Sequence, residues 1–171
     1  MNQEILTQFI EAFTLTDAAA TERVSQRLEL VLRDPAAYQT QFTEELSERG
    51  IEDILPAQEL RDVSLIDALL SEDLLWESDW QDNATDTAEG LNDILAQQNR
   101  PQKLSASALT GNRKAGPEML DAIQDALEPL GLALVLFTLD SDSFPLSVVA
   151  EEHTEKVRRL AQELGFTLTV Y

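Results

Sequence analysis

The sequence predicts an α/β fold, with α+β as the close alternative, in which amino-terminal helices pack with a mixed sheet of about four strands. Three observations carry this. Residues 1–60 space their apolar side chains only at helical intervals. After Leu60 the pattern gives way to short apolar runs of strand length. Residues 132–171 then read as strand, strand, helix, strand. A chain of 171 residues is expected to form a single domain, with a helical portion over 1–60 and an α/β portion over 61–171.

Each element has its own signal. Ile5, Leu6, Phe9, Ile10 and Phe13 make one broad apolar helix face, and Val24, Leu28, Val31 and Leu32 repeat the spacing in a second helix. Asp34-Pro35 offers a cap and a first-turn proline for a third helix burying Tyr38, Phe42 and Leu46, with Gly50 after its end. Val63, Ile66, Leu69 and Leu70 suit a fourth. "LLWESDW" is short and aromatic, which favours a strand over residues 74–80. Asp86 and Glu89 have the spacing of a capping box, opening a helix through Leu91, Ile94 and Leu95. Residues 99–117 form a long polar segment without clear period. Pro117 starts a helix bearing Leu120, Ile123, Leu127 and Leu130, which Gly131 ends. "LALVLFTL" and "PLSVVA" are bounded apolar runs that predict a hairpin. Val157, Leu160, Ala161 and Leu164 mark a last helix closed by Gly165, and "FTLTVY" a last strand, together a crossover unit.

Composition removes several chemistries. There is no cysteine, so disulfides, thiolate metal sites and cysteine nucleophiles are excluded. The single histidine, His153, rules out sites that need two, and no Gly-x-Ser-x-Gly elbow accompanies it. The spacing expects it exposed at the start of the last helix. The amino terminus carries no signal-peptide pattern, and no run is long enough to span a bilayer, so a soluble cytoplasmic protein is expected. The net charge of −20 opposes binding to nucleic acid and to anionic membrane. It has two readings: steering toward a basic partner, or a solvated surface that maintains solubility.

Three places carry candidate sites. Asp140 and Asp142 follow an apolar strand, as in magnesium-dependent phosphotransferases of the haloacid dehalogenase type. Too little chain follows them to supply the further acids and lysine of such a site, and Phe144-Pro145 stands where a small or hydroxyl residue is expected. An Asp/Ser turn is the competing reading. Arg113 and Lys114 lie in an acid-free segment, residues 100–116, that also holds Arg100 and Lys103. Its Gly111 and Gly116 have phosphate-loop spacing, but Pro117-Glu118 replaces the required Lys-Ser/Thr. What remains is a weaker anion or phosphometabolite site, or a surface loop pairing with the acidic body. Trp76 and Trp80, four apart on one strand face, are either core residues or, with Asp79, a partner-binding patch.

The stretches "LIDALLSEDLLWESDWQDNATDTAEGLNDIL" and "LVLFTLDSDSFPLSVVAEEHTEKVRRLAQELGF" make the chain similar to a bacterial family of uncharacterised domains. The likeness rests on "SDW" before a helix, the "DSDSFPLSVV" hairpin, and the Ala-x-x-Leu-Gly helix end. It implies no activity and no catalytic residue, but directs attention to Asp79, Trp80, Asp140, Asp142 and Pro145.

The functional expectation is an acidic interaction module for a basic protein or peptide, immunity-like by analogy, with no cofactor and no catalytic residue. A magnesium-dependent hydrolase using Asp140 and Asp142, and an anion binder using Arg113 and Lys114, are the alternatives.

Overall fold

The computed structural model describes residues 2–105, 109 and 114–171. Four helices open the chain: α1 (Gln3–Thr14), α2 (Ala18–Arg33), α3 (Pro35–Gln41) and α4 (Thr43–Glu48). The side chains of Asn2, Asp17 and Asp34 cap the first three by accepting from first-turn amides. The third expected helix is split in two. At the junction the Thr43 hydroxyl donates to Gln39 O (2.8 Å) and Thr40 O (2.9 Å), and such back-bonding bends a helix. Tyr38 and Leu46 are nevertheless both buried.

Then follow α5 (Ala57–Leu70), β1 (Trp76–Asp79), α6 (Ala84–Gln97), α7 (Pro117–Leu127), β2 (Leu132–Phe137), β3 (Ser143–Ala150), α8 (Thr154–Leu164) and β4 (Leu168–Val170). Single 3₁₀ turns, Glu128–Leu130 and Glu151–His153, follow α7 and precede α8. Gly131 and Gly165 take left-handed conformations after the Glu128–Leu130 turn and α8, as their places in the sequence predict. The cap of α6 is Asn83, whose side chain accepts from Asp86 N, so Asp86 is a first-turn residue and not the cap.

The sheet has order β1-β3-β2-β4, and every neighbouring pair is antiparallel. The expected mixed sheet is thereby corrected: this is an α+β arrangement of helices with an antiparallel four-stranded sheet. β3 and β4 do run in the same direction through the α8 crossover, but β2 lies between them. β1 already occupies the other edge of β3.

The side-chain alternation explains why the strands read as unbroken apolar runs. Ala133, Val135, Phe137 and Val149 face one core, shared with α1, α2, α5 and α8. Leu132, Leu134, Leu146 and Val148 face a second, shared with α6 and α7. Burial on both faces makes most positions of β2 and β3 apolar, whichever way neighbouring strands run; buried Ser147 is an exception, its hydroxyl donating to Leu74 O at 2.7 Å. The first core takes residues from Leu6 to Val170, so it joins the amino-terminal helices to the last strand. Leu104 and Leu109, in the segment expected to be polar loop, are buried in the second core. Among the described residues no helix is long and apolar enough to cross a membrane.

One buried amide ties three of these layers together. Gln98, after α6, donates to Phe13 O of α1 and to Val148 O of β3, both at 3.1 Å, and accepts from Arg100 Nε at 2.7 Å. Leucine at this position fits the volume but leaves both carbonyls without their donor. Gln98→Leu is expected to cost about 1–2 kcal/mol in urea unfolding; an unchanged midpoint would show that other donors replace the amide.

Candidate functional site

The two tryptophans separate. Trp76, on β1, packs into the second core against α6, while Trp80 lies just past the strand and is 50% exposed. The strand ends because Asp82 folds back: its Oδ2 accepts from Asp79 N at 2.9 Å and from the Ser78 hydroxyl at 3.3 Å. Asp82 N donates to Asp79 O at 2.9 Å to close the turn. Trp80 therefore leaves the face that Trp76 occupies, and a core role for both is corrected. On the strand, Ser78 and Thr87 of α6 share a buried hydroxyl pair at 2.9 Å, which holds β1 against that helix.

Trp80 is held against the β2–β3 connection. Its backbone amide donates to Asp142 O at 3.1 Å, one position beyond the Asp79–Ser143 pairing of β1 with β3. Asp79, Trp80 and Asp142, predicted from separate stretches, thus meet at one corner of the sheet. Asp140 and Asp142 are exposed, and the turn is stabilised by Ser141, whose hydroxyl oxygen accepts from Ser143 N at 3.1 Å. Pro145, expected at the first position of its strand, is instead inside β3 opposite Glu77, because the strand starts two residues earlier at Ser143. Among the described residues no group of three or more His, Asp or Glu side chains is assembled to hold a metal.

On the other flank of the same loop, Asp140 borders a cleft of about 460 Å³. Its walls are Ile51, Leu55, Val63 and Leu139, and its acids are Asp140, Glu59 and Asp62. Asp62 is 7% exposed. Its carboxylate accepts from Thr167 N at 2.8 Å and from Gln58 Nε2 at 3.2 and 3.3 Å. Burial pushes its pKa above the ordinary aspartate value, against the pull of these hydrogen bonds and of the Arg61 charge.

Behind the corner lies a network for which the sequence carried only a weak sign, Asp67 among the apolar residues of the second half of α5. Arg49 donates to Asp67 Oδ1 (2.7 Å) and to Glu77 Oε1 on β1 (2.5 Å). Arg27 lies 4.1 Å over the Phe42 ring and pairs with Glu45 at 3.0 Å. It also reaches Asp67 at 4.0 Å. Burial raises the Asp67 pKa, while Arg49 and then Arg27 oppose the rise. The network fixes β1, and with it the Trp80 turn, to α4 and α5.

The remaining candidates lie elsewhere. Arg113 falls outside the described residues. Lys114 lines a cleft of about 590 Å³ with Glu118, Asp121 and Asp125, an acidic setting that opposes an anion. His153 is exposed beside Glu152 at 3.6 Å, as its place at the helix start predicts. A shallow groove of about 1220 Å³ between α1 and α2 is lined by Glu4, Glu11, Glu22 and Glu29 and by no basic residue.

The same stretches, "SDW" and "DSDSFPLSVV", that build this corner carried the resemblance read from the sequence. A family described as a domain of unknown function, DUF6630, matches residues 6–171. The chain belongs to the DUF6630 family. The match takes in both the amino-terminal helices and the sheet, beyond the stretches that suggested it. No curated protein and no solved structure matches the chain. In this DUF6630 domain, the corner around Trp80 and the adjoining cleft are two places where apolar and acidic groups lie together at the surface.

Proposed function

We propose that this DUF6630 domain is an acidic interaction module of the cytoplasm that binds a basic protein or peptide at the Trp80 corner. The carrying observation is a half-exposed tryptophan held by backbone to a loop bearing Asp140 and Asp142, with Asp79 as its chain neighbour. A large aromatic that loses its remaining water on binding supplies affinity, and the carboxylates supply sign selectivity. The net charge of −20 adds speed of encounter with a cationic surface but no address.

Trp80→Ala separates these contributions because it leaves the charge unchanged. In affinity capture from the source cell over a salt series, the wild-type chain is expected to retain a basic protein that is lost as salt rises, and Trp80→Ala to lose it even at low salt. Screening acts over about 10 Å at 0.1 M ionic strength, so exposed carboxylates respond in this range. Equal retention by both chains would reduce the interaction to charge alone; retention of no basic protein would remove the reading.

A further inference from the structure

We propose that the cleft beside Asp140 receives a lysine or arginine side chain, flanked by an apolar residue, from a peptide segment of a partner. This deepens the basic-partner reading and rests on it for the partner's overall charge.

Three observations point to such an occupant. The first is the lining, with Ile51, Leu55, Val63 and Leu139 as walls, Glu59, Asp62 and Asp140 as acids, and no basic residue. Long cationic side chains suit such a cleft, because the alkyl stem lies on apolar walls while the charged end reaches carboxylates. The second is Asp62. It is 7% exposed, yet its hydrogen-bond donors, Gln58 Nε2 and Thr167 N, are neutral. The neighbouring Arg61 uses its donors on Gln58 Oε1 (2.7 Å) and Gly165 O (3.3 Å) and acts on Asp62 only through space. A carboxylate this dry and without a bonded cation gains from a cation brought to it. The third is Ile54, 90% exposed, which lines not the cleft itself but an adjoining pocket that shares Ile51 with it, where it offers an apolar contact for the neighbouring peptide residue.

The volume, about 460 Å³, is that of a small-ligand pocket and exceeds one side chain. The acids are spread along the cleft and do not form a metal-holding group among the described residues. Spread charge on apolar walls fits an organic cation better than a bare divalent ion, which needs converging oxygens.

The test uses the full chain, labelled with ¹⁵N, and two capped tripeptides. One is acetyl-Leu-Lys-Leu-amide; the other has norleucine in place of lysine and no charge. The lysine peptide is expected to move the amide signals of Thr167, Val63 and Leu139, and the norleucine peptide to leave them in place. Glu59→Gln and Asp140→Asn change exposed rim residues and preserve the fold; each is expected to weaken lysine-peptide binding about two- to fivefold. Equal response to both peptides, or no movement at about 1 mM, where even a weak specific site is half filled, would overturn the assignment. So would binding unaffected by either rim variant. The two proposals fail separately. A salt-sensitive partner lost on Trp80→Ala beside a silent cleft overturns the cleft alone. A cleft that binds the lysine peptide in a chain capturing no basic protein removes the Trp80 reading and supports the cleft.

Discussion

Arg49→Met is expected to lower stability by about 3–5 kcal/mol at neutral pH, because it leaves a buried carboxylate without its main partner. Arg49 is the only residue in the network that bonds both Asp67 on α5 and Glu77 on β1, at 2.6 and 2.5 Å in the ion pairs. The Asp67 side chain is 8% exposed, so water cannot take over from the guanidinium. Arg27, 4.0 Å away, compensates only in part, which places the expected loss toward the lower end.

The loss should depend on pH, with a sign set by Asp67. Its folded pKa already lies above the ordinary value because burial outweighs its arginines, and removing Arg49 raises it further. A carboxyl group raised in the folded state binds more protons folded than unfolded. Its favourable contribution is therefore complete below the unfolded pKa and is lost as pH rises through the folded one. The Arg49→Met deficit should be largest at neutral pH and shrink on acidification into the carboxylate range. Urea unfolding at both pH values measures this. Adding Asp67→Leu to Arg49→Met should restore much of the stability at neutral pH, since an apolar replacement removes the stranded charge. A single-variant loss below about 1 kcal/mol would show that the pair behaves as an exposed one.

Gly90→Ala is the second large effect, a destabilisation of about 3 kcal/mol at the upper end of ordinary overpacking. Gly90 is within α6, where alanine by propensity alone would gain about 1 kcal/mol. Packing reverses that gain. A methyl group at Gly90 would sit 2.1 Å from Cδ2 and 2.5 Å from Cγ of the Trp76 indole. Cγ is at the root of the ring, so no rotation of the ring tip relieves the contact. Either the whole indole or the β1–α6 spacing must move. Trp76→Leu in the Gly90→Ala background should recover part of the loss, and the fluorescence of the two tryptophans should report a more solvated Trp76 in the single variant. A Gly90→Ala chain more stable than wild type would show that β1 yields freely.

Both residues show where reading the chain alone stopped. Gly90 is one letter in a helical pattern, and nothing nearby says that an indole lies across it. Arg49, Asp67 and Glu77 belong to three elements and look like ordinary members of a chain with 32 acidic residues. Trp76 and Trp80 have strand spacing, but Asp82, a side chain that folds back on the turn, ends the strand between them. The turn at Asp140–Asp142 was legible because its serine and flanking apolar runs act locally.

Local chemistry thus decided what could be known in advance. The helix ends at Gly131 and Gly165, the proline-started α3 and α7, the hairpin and the last helix all follow from backbone freedom and apolar period over a few residues. Family membership was legible for a similar reason, because it rests on contiguous stretches. The strand order, the wholly antiparallel pairing, the cleft beside Asp140 and the Arg49 network were decided only by tertiary structure. An apolar run specifies that both faces of a strand are covered but leaves its neighbours open, and a charge specifies its sign while its partner depends on which distant elements the core brings within a few ångströms.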